Sequence, residues 1–120
     1  MNSKVLKKKI INVLDQNLDD DYMLFVFGSF AKGGMDKSSD IDLAVYGTKE
    51  ISPRVLVQAK DDMERNLGTL RDIDIVNLTD KNVGIKLLRN ILKEGVIWRK
   101  EKNSKGLLKN LKKRLKNSMK

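Results

Sequence analysis

Apolar and polar residues follow two different periods along this chain, and the periods mark its elements. Between residues 4 and 18, Val5, Leu6, Ile10, Val13, Leu14 and Leu18 recur at helical spacing while Lys4, Lys7, Lys8, Lys9 and Asp15 fall largely elsewhere, which predicts an amphipathic first helix. Asp19-Asp20-Asp21 breaks the pattern and reads as a loop, because aspartate favours turns. The unbroken apolar run from Tyr22 to Phe27 predicts a strand buried on both faces. From Asp40 the period becomes two, so that Asp40, Asp42, Ala44 and Tyr46 share one face of a second strand and Ile41, Leu43 and Val45 share the other.

Ser52 is placed to cap a second long helix with Pro53 at its first position; Val55, Leu56, Ala59, Met63 and Leu67 form its apolar stripe, and Gly68 ends it. Arg71 to Leu78 alternates again, with Asp72, Asp74 and Val76 opposite Ile73 and Ile75, and predicts a third strand. Thr79 to Asn82 offers caps for a further helix lined by Val83, Leu87, Leu88, Ile91 and Leu92 and stopped at Gly95, after which Val96-Ile97-Trp98 predicts a short edge strand. The order predicts an α/β or α+β fold, with a sheet of three to five strands backed by helices.

In the last twenty residues Leu107, Leu108, Leu111, Leu115 and Met119 fall within an arc of roughly 120° on a helical wheel, so residues 101–120 read as a basic amphipathic tail. A helix and a frayed, solvated extension are both open for it, since a short terminal helix is marginal alone. The tail holds most of the charge: seven Lys and one Arg against Glu101 give +7 of the chain's +9, leaving +2 for residues 1–100. A folded part so near neutrality suits a small-molecule enzyme or an oligomer subunit better than a dedicated nucleic-acid domain. The tail itself suits contact with a partner or RNA, with a membrane surface as a further option.

Composition narrows the chemistry. With 120 residues the chain fits one domain of modest core, and any acceptor surface is expected to be shared with a partner. The sequence has no cysteine and no histidine, which excludes disulfides, thiolate chemistry, the usual zinc sites and any imidazole base. No apolar run approaches a membrane span and the N-terminus lacks the apolar core of a signal peptide, so the cytoplasm is the expected location.

The carboxylates and hydroxyls that remain converge on one stretch. Gly28-Ser29 directly follows the first strand, where glycine lets backbone N–H groups approach an anion and serine adds a hydroxyl donor. Asp40 and Asp42, on one face of the next strand, repel each other and call for a compensating cation; Mg²⁺, a hard ion that binds one or two carboxylates together with substrate phosphates, is the natural candidate. A phosphate turn beside an acid pair suggests nucleotidyl transfer. Lys32, just beyond the turn, either neutralises phosphate or faces solvent, and Ser39 reads more simply as turn chemistry.

Gly28-Ser29, ten residues, then Asp40-Ile41-Asp42 resembles the G-S-x10-D-x-D signature of the polymerase-β-like nucleotidyltransferase superfamily. The resemblance spans roughly residues 5–100, and the shortness of the chain points to the minimal nucleotidyltransferase (MNT) branch, which includes the MntA antitoxins paired with HEPN-domain toxins. It implies a polymerase-β-like palm with a mixed sheet over residues 1–100. It also implies Asp40 and Asp42 as ligands of two Mg²⁺ ions, and it favours Asp74 over Asp72 as the third acid, since Asp74-Ile75-Val76 matches the family's acid followed by apolar residues. Gly28, Ser29 and Lys32 would bind the phosphates of ATP, and Asp74 would take the acceptor's proton.

The expected activity is AMP transfer from ATP to a tyrosine hydroxyl of a HEPN toxin, with this chain as the antitoxin in a hetero-oligomer. Aminoglycoside-type small molecules and RNA 3′ ends are alternative acceptors, and a binding-only antitoxin without turnover is the alternative of another class.

Overall fold

The computed structural model describes residues 3–31, 40–99 and 104–118. Their order is α1 (Ser3–Asn17), β1 (Tyr22–Phe27), α2 (Gly28–Ala31), β2 (Ile41–Gly47), α3 (Pro53–Asn66), β3 (Ile73–Asn77), α4 (Ile85–Glu94), β4 (Val96–Arg99) and α5 (Ser104–Ser118). The strands form one mixed sheet in the order β3-β2-β1-β4. β1 is antiparallel to both neighbours, while β2 and β3 run parallel because α3 carries the chain back between them.

Side-chain alternation divides the molecule into three layers. Leu24 and Val26 of β1, Ile41, Leu43 and Val45 of β2 and Ile73 of β3 pack on one face with Ile10 and Leu14 of α1 and Leu56, Ala59 and Met63 of α3. Met23 and Phe25 of β1 and Ala44 of β2 face the other way, against Leu88 and Ile91 of α4 and Leu107 and Leu111 of α5. The continuous apolar reading of Tyr22–Phe27 thus has its cause: β1 is covered on both sides.

Local chemistry sets the ends of the elements. Ser52 is the N-cap of α3 and its hydroxyl accepts from Arg54 N–H, Pro53 opens the helix, and Gly68, at φ +65°, lets the chain leave it. At α4 the sequence expectation needs correcting, for the N-cap is Gly84 and makes no side-chain capping bond. Two of the expected caps are used in the preceding turn instead: Thr79 Oγ1 accepts from Gly47 N–H and Asp80 Oδ1 accepts from Asn82 N–H, while Asn77 Oδ1 accepts from Thr79 N–H in the same turn.

The last helix was open in the sequence between a packed and a frayed form. Residues 104–118 are helical, Leu111 is fully buried and Leu107 nearly so, and Leu108 and Leu115 pack partly on the same cluster. Arg114 also donates from its guanidinium to the Leu78 carbonyl at 2.6 Å, tying α5 to the end of β3. Met119 lies outside the described residues.

At the same end of the strands, toward the opposite edge of the sheet, a second tie closes the fold. The Tyr22 hydroxyl donates to Asp15 at 2.7 Å, the Arg99 guanidinium stacks 4.2 Å from the centre of the Tyr22 ring, and Arg99 also donates to the Tyr22 carbonyl. These three residues join α1, β1 and β4.

Candidate functional site

Strand register builds the site. Asp42 lies opposite Phe27 on antiparallel β1 and opposite Asp74 on parallel β3, so Phe27, Asp42 and Asp74 form one row across three strands. Residues in one row point to one face. Phe27 and the next residue inward on β2, Ala44, belong to the α4–α5 cluster, and the two carboxylates stand on that same face, just beyond the apolar cover. Asp40 lies immediately before β2 with an exposed side chain.

The electrostatics record how closely these acids crowd. Asp42 is half-buried, and burial, then the charge of Asp74, then that of Asp40 push its carboxyl above the ordinary value of 3.8. Asp72 is not among these causes; its side chain is exposed, and its backbone carbonyl accepts from Ile41 N–H at 2.8 Å. Of the two acids on that strand face, Asp74 is therefore the one in electrostatic contact with Asp42.

The glycine turn meets the acids directly. Gly28 has φ +75°, a left-handed conformation that side chains resist. A Cβ there would also collide with Oδ2 of Asp42 and come within 3.3 Å of its Cγ. The turn backbone and the Asp42 carboxylate are thus in contact, and Ser29 follows with its side chain exposed beside them.

Phe30 holds the turn in place. It is fully buried in the first core, meets Trp98 edge-on with ring centres 6.0 Å apart, and lies under the Arg71 guanidinium at 5.1 Å. Phe30 is one of the ten residues between the motif halves, to which the motif assigns no role; an apolar side chain directly after the Gly28-Ser29 turn is its signal in the sequence. A second residue unforeseen from the sequence is Lys60 of α3, whose Nζ is 3.9 Å from Asp74 Oδ1 at the open edge of β3. Lys32 and Ser39 lie outside the described residues.

The donor set suits a hard divalent cation, being carboxylate oxygen throughout, and Asp42 sits among like charges that such an ion would neutralise. Among the described residues no three acids are gathered tightly enough to enclose an ion by themselves. The arrangement therefore fits an ion that completes its shell with substrate phosphate and water, as Mg²⁺ does.

Comparison with known proteins places the fold. Solved structures of similar fold include a toxin–antitoxin complex with AMP-PNP (19% identity, TM-score 0.76, covering 94% of this chain and 89% of the other). Another is a tri-AMPylated Shewanella oneidensis HEPN toxin in complex with its MNT antitoxin (19% identity, TM-score 0.72, covering 97% and 86%). A third is the MntA–HepT toxin–antitoxin complex (17% identity, TM-score 0.73, covering 98% and 90%). At these identities the likeness is one of fold, and it gives the chain an MNT-type, polymerase-β-like architecture. No curated protein matches the sequence. The family model described as polymerase beta, nucleotidyltransferase matches residues 8–103, a span holding the turn, the acid row and all four strands, and the chain belongs to that nucleotidyltransferase family.

Proposed function

We propose that this protein is a Mg²⁺-dependent nucleotidyltransferase that moves AMP from ATP to a tyrosine hydroxyl of a HEPN-domain toxin, and so acts as a cytoplasmic antitoxin. The observation that carries the reading is the contact of Gly28 with Asp42 in a row that continues to Asp74. One compact patch then offers groups for a triphosphate and groups for a cation.

Asp40, Asp42 and Asp74 would hold Mg²⁺, which when bound neutralises charge on the phosphates and makes the acceptor hydroxyl more acidic. The backbone at Gly28 and the hydroxyl of Ser29 bind the β and γ phosphates, with Lys32 neutralising their charge. The acceptor oxygen attacks the α-phosphorus, the bond from that phosphorus to the β-phosphate bridging oxygen breaks, and pyrophosphate leaves. Asp74, exposed at the edge strand, takes the hydroxyl proton. Half-burial of Asp42 against the turn keeps the phosphate side fixed, while exposure of Asp74 leaves the acceptor side open to a macromolecule.

A protein acceptor is supported by the solved relatives, among them one whose HEPN toxin is AMPylated in the complex with its MNT antitoxin. AMP on a toxin tyrosine would add negative charge and bulk, opposing the approach of RNA phosphates. Co-expression with the partner toxin followed by intact mass spectrometry tests the proposal. Adenylyl groups are expected on the toxin with the native chain and none with Asp42→Asn. Equal neutralisation of an unmodified toxin by both chains would establish antitoxicity by binding alone.

A further inference from the structure

The basic residues of the last two helices are unused by the nucleotidyltransferase reading, and the fold arranges them in a particular way. On α5, Lys109, Lys112, Lys113 and Lys116 are all exposed and follow one another at i, i+3, i+4 and i+7, a single stripe about 10 Å long. The stripe lies opposite Leu107 and Leu111, which are buried against α4 and the sheet. On α4, Lys86, Arg89 and Lys93 are exposed at i, i+3 and i+7, again opposite the buried Leu88 and Ile91.

Both stripes therefore point outward from the same layer. α5 carries no acid, and Glu94 is the sole acid on α4. None of the seven basic residues enters an ion pair among the described residues. The surface is a concentrated positive field, and a polyanion is its complement.

The chemistry of the surface favours one polyanion. Membrane binding by an amphipathic helix needs an apolar face free to enter lipid, and the apolar stripe of α5 is already spent in the core. Neither helix has an aromatic residue on which a base could stack. Exposed asparagines, Asn90, Asn110 and Asn117, flank the lysines and add hydrogen-bond donors for phosphate oxygens. We infer that the outer face of α4 and α5 binds the phosphate backbone of nucleic acid without reading its bases, at a site independent of the transferase chemistry.

The test compares full-length protein with a variant carrying Lys109→Gln, Lys112→Gln, Lys113→Gln and Lys116→Gln, in titrations with RNA and DNA duplexes of one sequence and of a scrambled sequence. Glutamine keeps helix propensity, and circular dichroism together with unchanged AMP transfer checks folding. A control with the same change in charge carries Lys4→Gln, Lys7→Gln, Lys8→Gln and Lys9→Gln on α1. The native chain should bind both sequences alike, with affinity falling steeply as salt rises by close to one power of salt per phosphate contacted. The α5 variant should lose at least tenfold in affinity and most of that salt slope, and the α1 control much less. Equal losses in the two variants, a salt-independent affinity, or preference for anionic vesicles or an acidic protein over both nucleic acids would overturn the inference.

Discussion

Gly28 and Asp42 are fitted to each other: the carboxylate of Asp42 occupies the space that a side chain at position 28 would need. Gly28→Ala therefore meets two penalties at once. The left-handed backbone alone costs about 1–2 kcal/mol, and the methyl group must displace Asp42 as well. Thermal unfolding should show a loss of at least that size, and nucleotidyl transfer should fall further than stability does, because the turn and the acid move apart.

The raised Asp42 carboxyl sets a pH dependence. Its folded value lies above 3.8, so folding takes up a proton between that value and the raised one, and stability is lost as pH rises through this window. Asp42→Asn removes the effect. Without metal, the variant should melt at a higher temperature than the native chain at neutral pH, and the difference should vanish near pH 3. Adding Mg²⁺ and ATP should raise the melting temperature of the native chain alone.

Tyr22 gives the opposite end of the pH scale. Burial, the hydrogen bond to Asp15 and the Asp15 charge all push its phenol up, against a smaller opposing influence of Arg99. The stability it contributes is present below pH 10, the unfolded value, and is lost as pH rises above it. Tyr22→Phe should cost about 1–2 kcal/mol at pH 7 through the lost bond to Asp15, and should show a smaller alkaline loss than the native chain in melts between pH 9 and 11.

Leu111 tests whether α5 belongs to the folded unit. Its side chain is fully buried between α4 and the sheet, so Leu111→Ala should destabilise the protein by about 2–4 kcal/mol in denaturant titration. Removing residues 104–118 should cost more, and any loss of nucleotide binding after that truncation reflects the exposed second core. The motif residues themselves all precede α5.

Elements with a clear period were legible. The apolar run Tyr22–Phe27, the alternation through Ile41–Val45 and the Ser52-Pro53 helix start each state a local preference that the fold keeps. So did the short strand at Val96, found at the sheet edge beside β1. What stayed hidden depends on residues far apart in sequence. That Asp74 stands level with Asp42 follows from the parallel register of β2 and β3, which no local pattern encodes. Likewise the leucines of α5 look the same whether or not α4 is there to receive them. Thr79 misled because a residue able to cap a helix is equally able to close the turn before it, and here its hydroxyl serves Gly47.

Which phosphate travels tests the central claim most directly. Protein, Mg²⁺ and the purified toxin are incubated with ATP labelled either at the α or at the γ phosphorus, and label on the toxin is counted. A row of acids beside a phosphate turn, acting by attack at the α-phosphorus, predicts α label on the toxin, γ label only in pyrophosphate, and neither on the toxin with Asp42→Asn. Transfer of γ label, or α label undiminished in the Asp42→Asn variant, would contradict it.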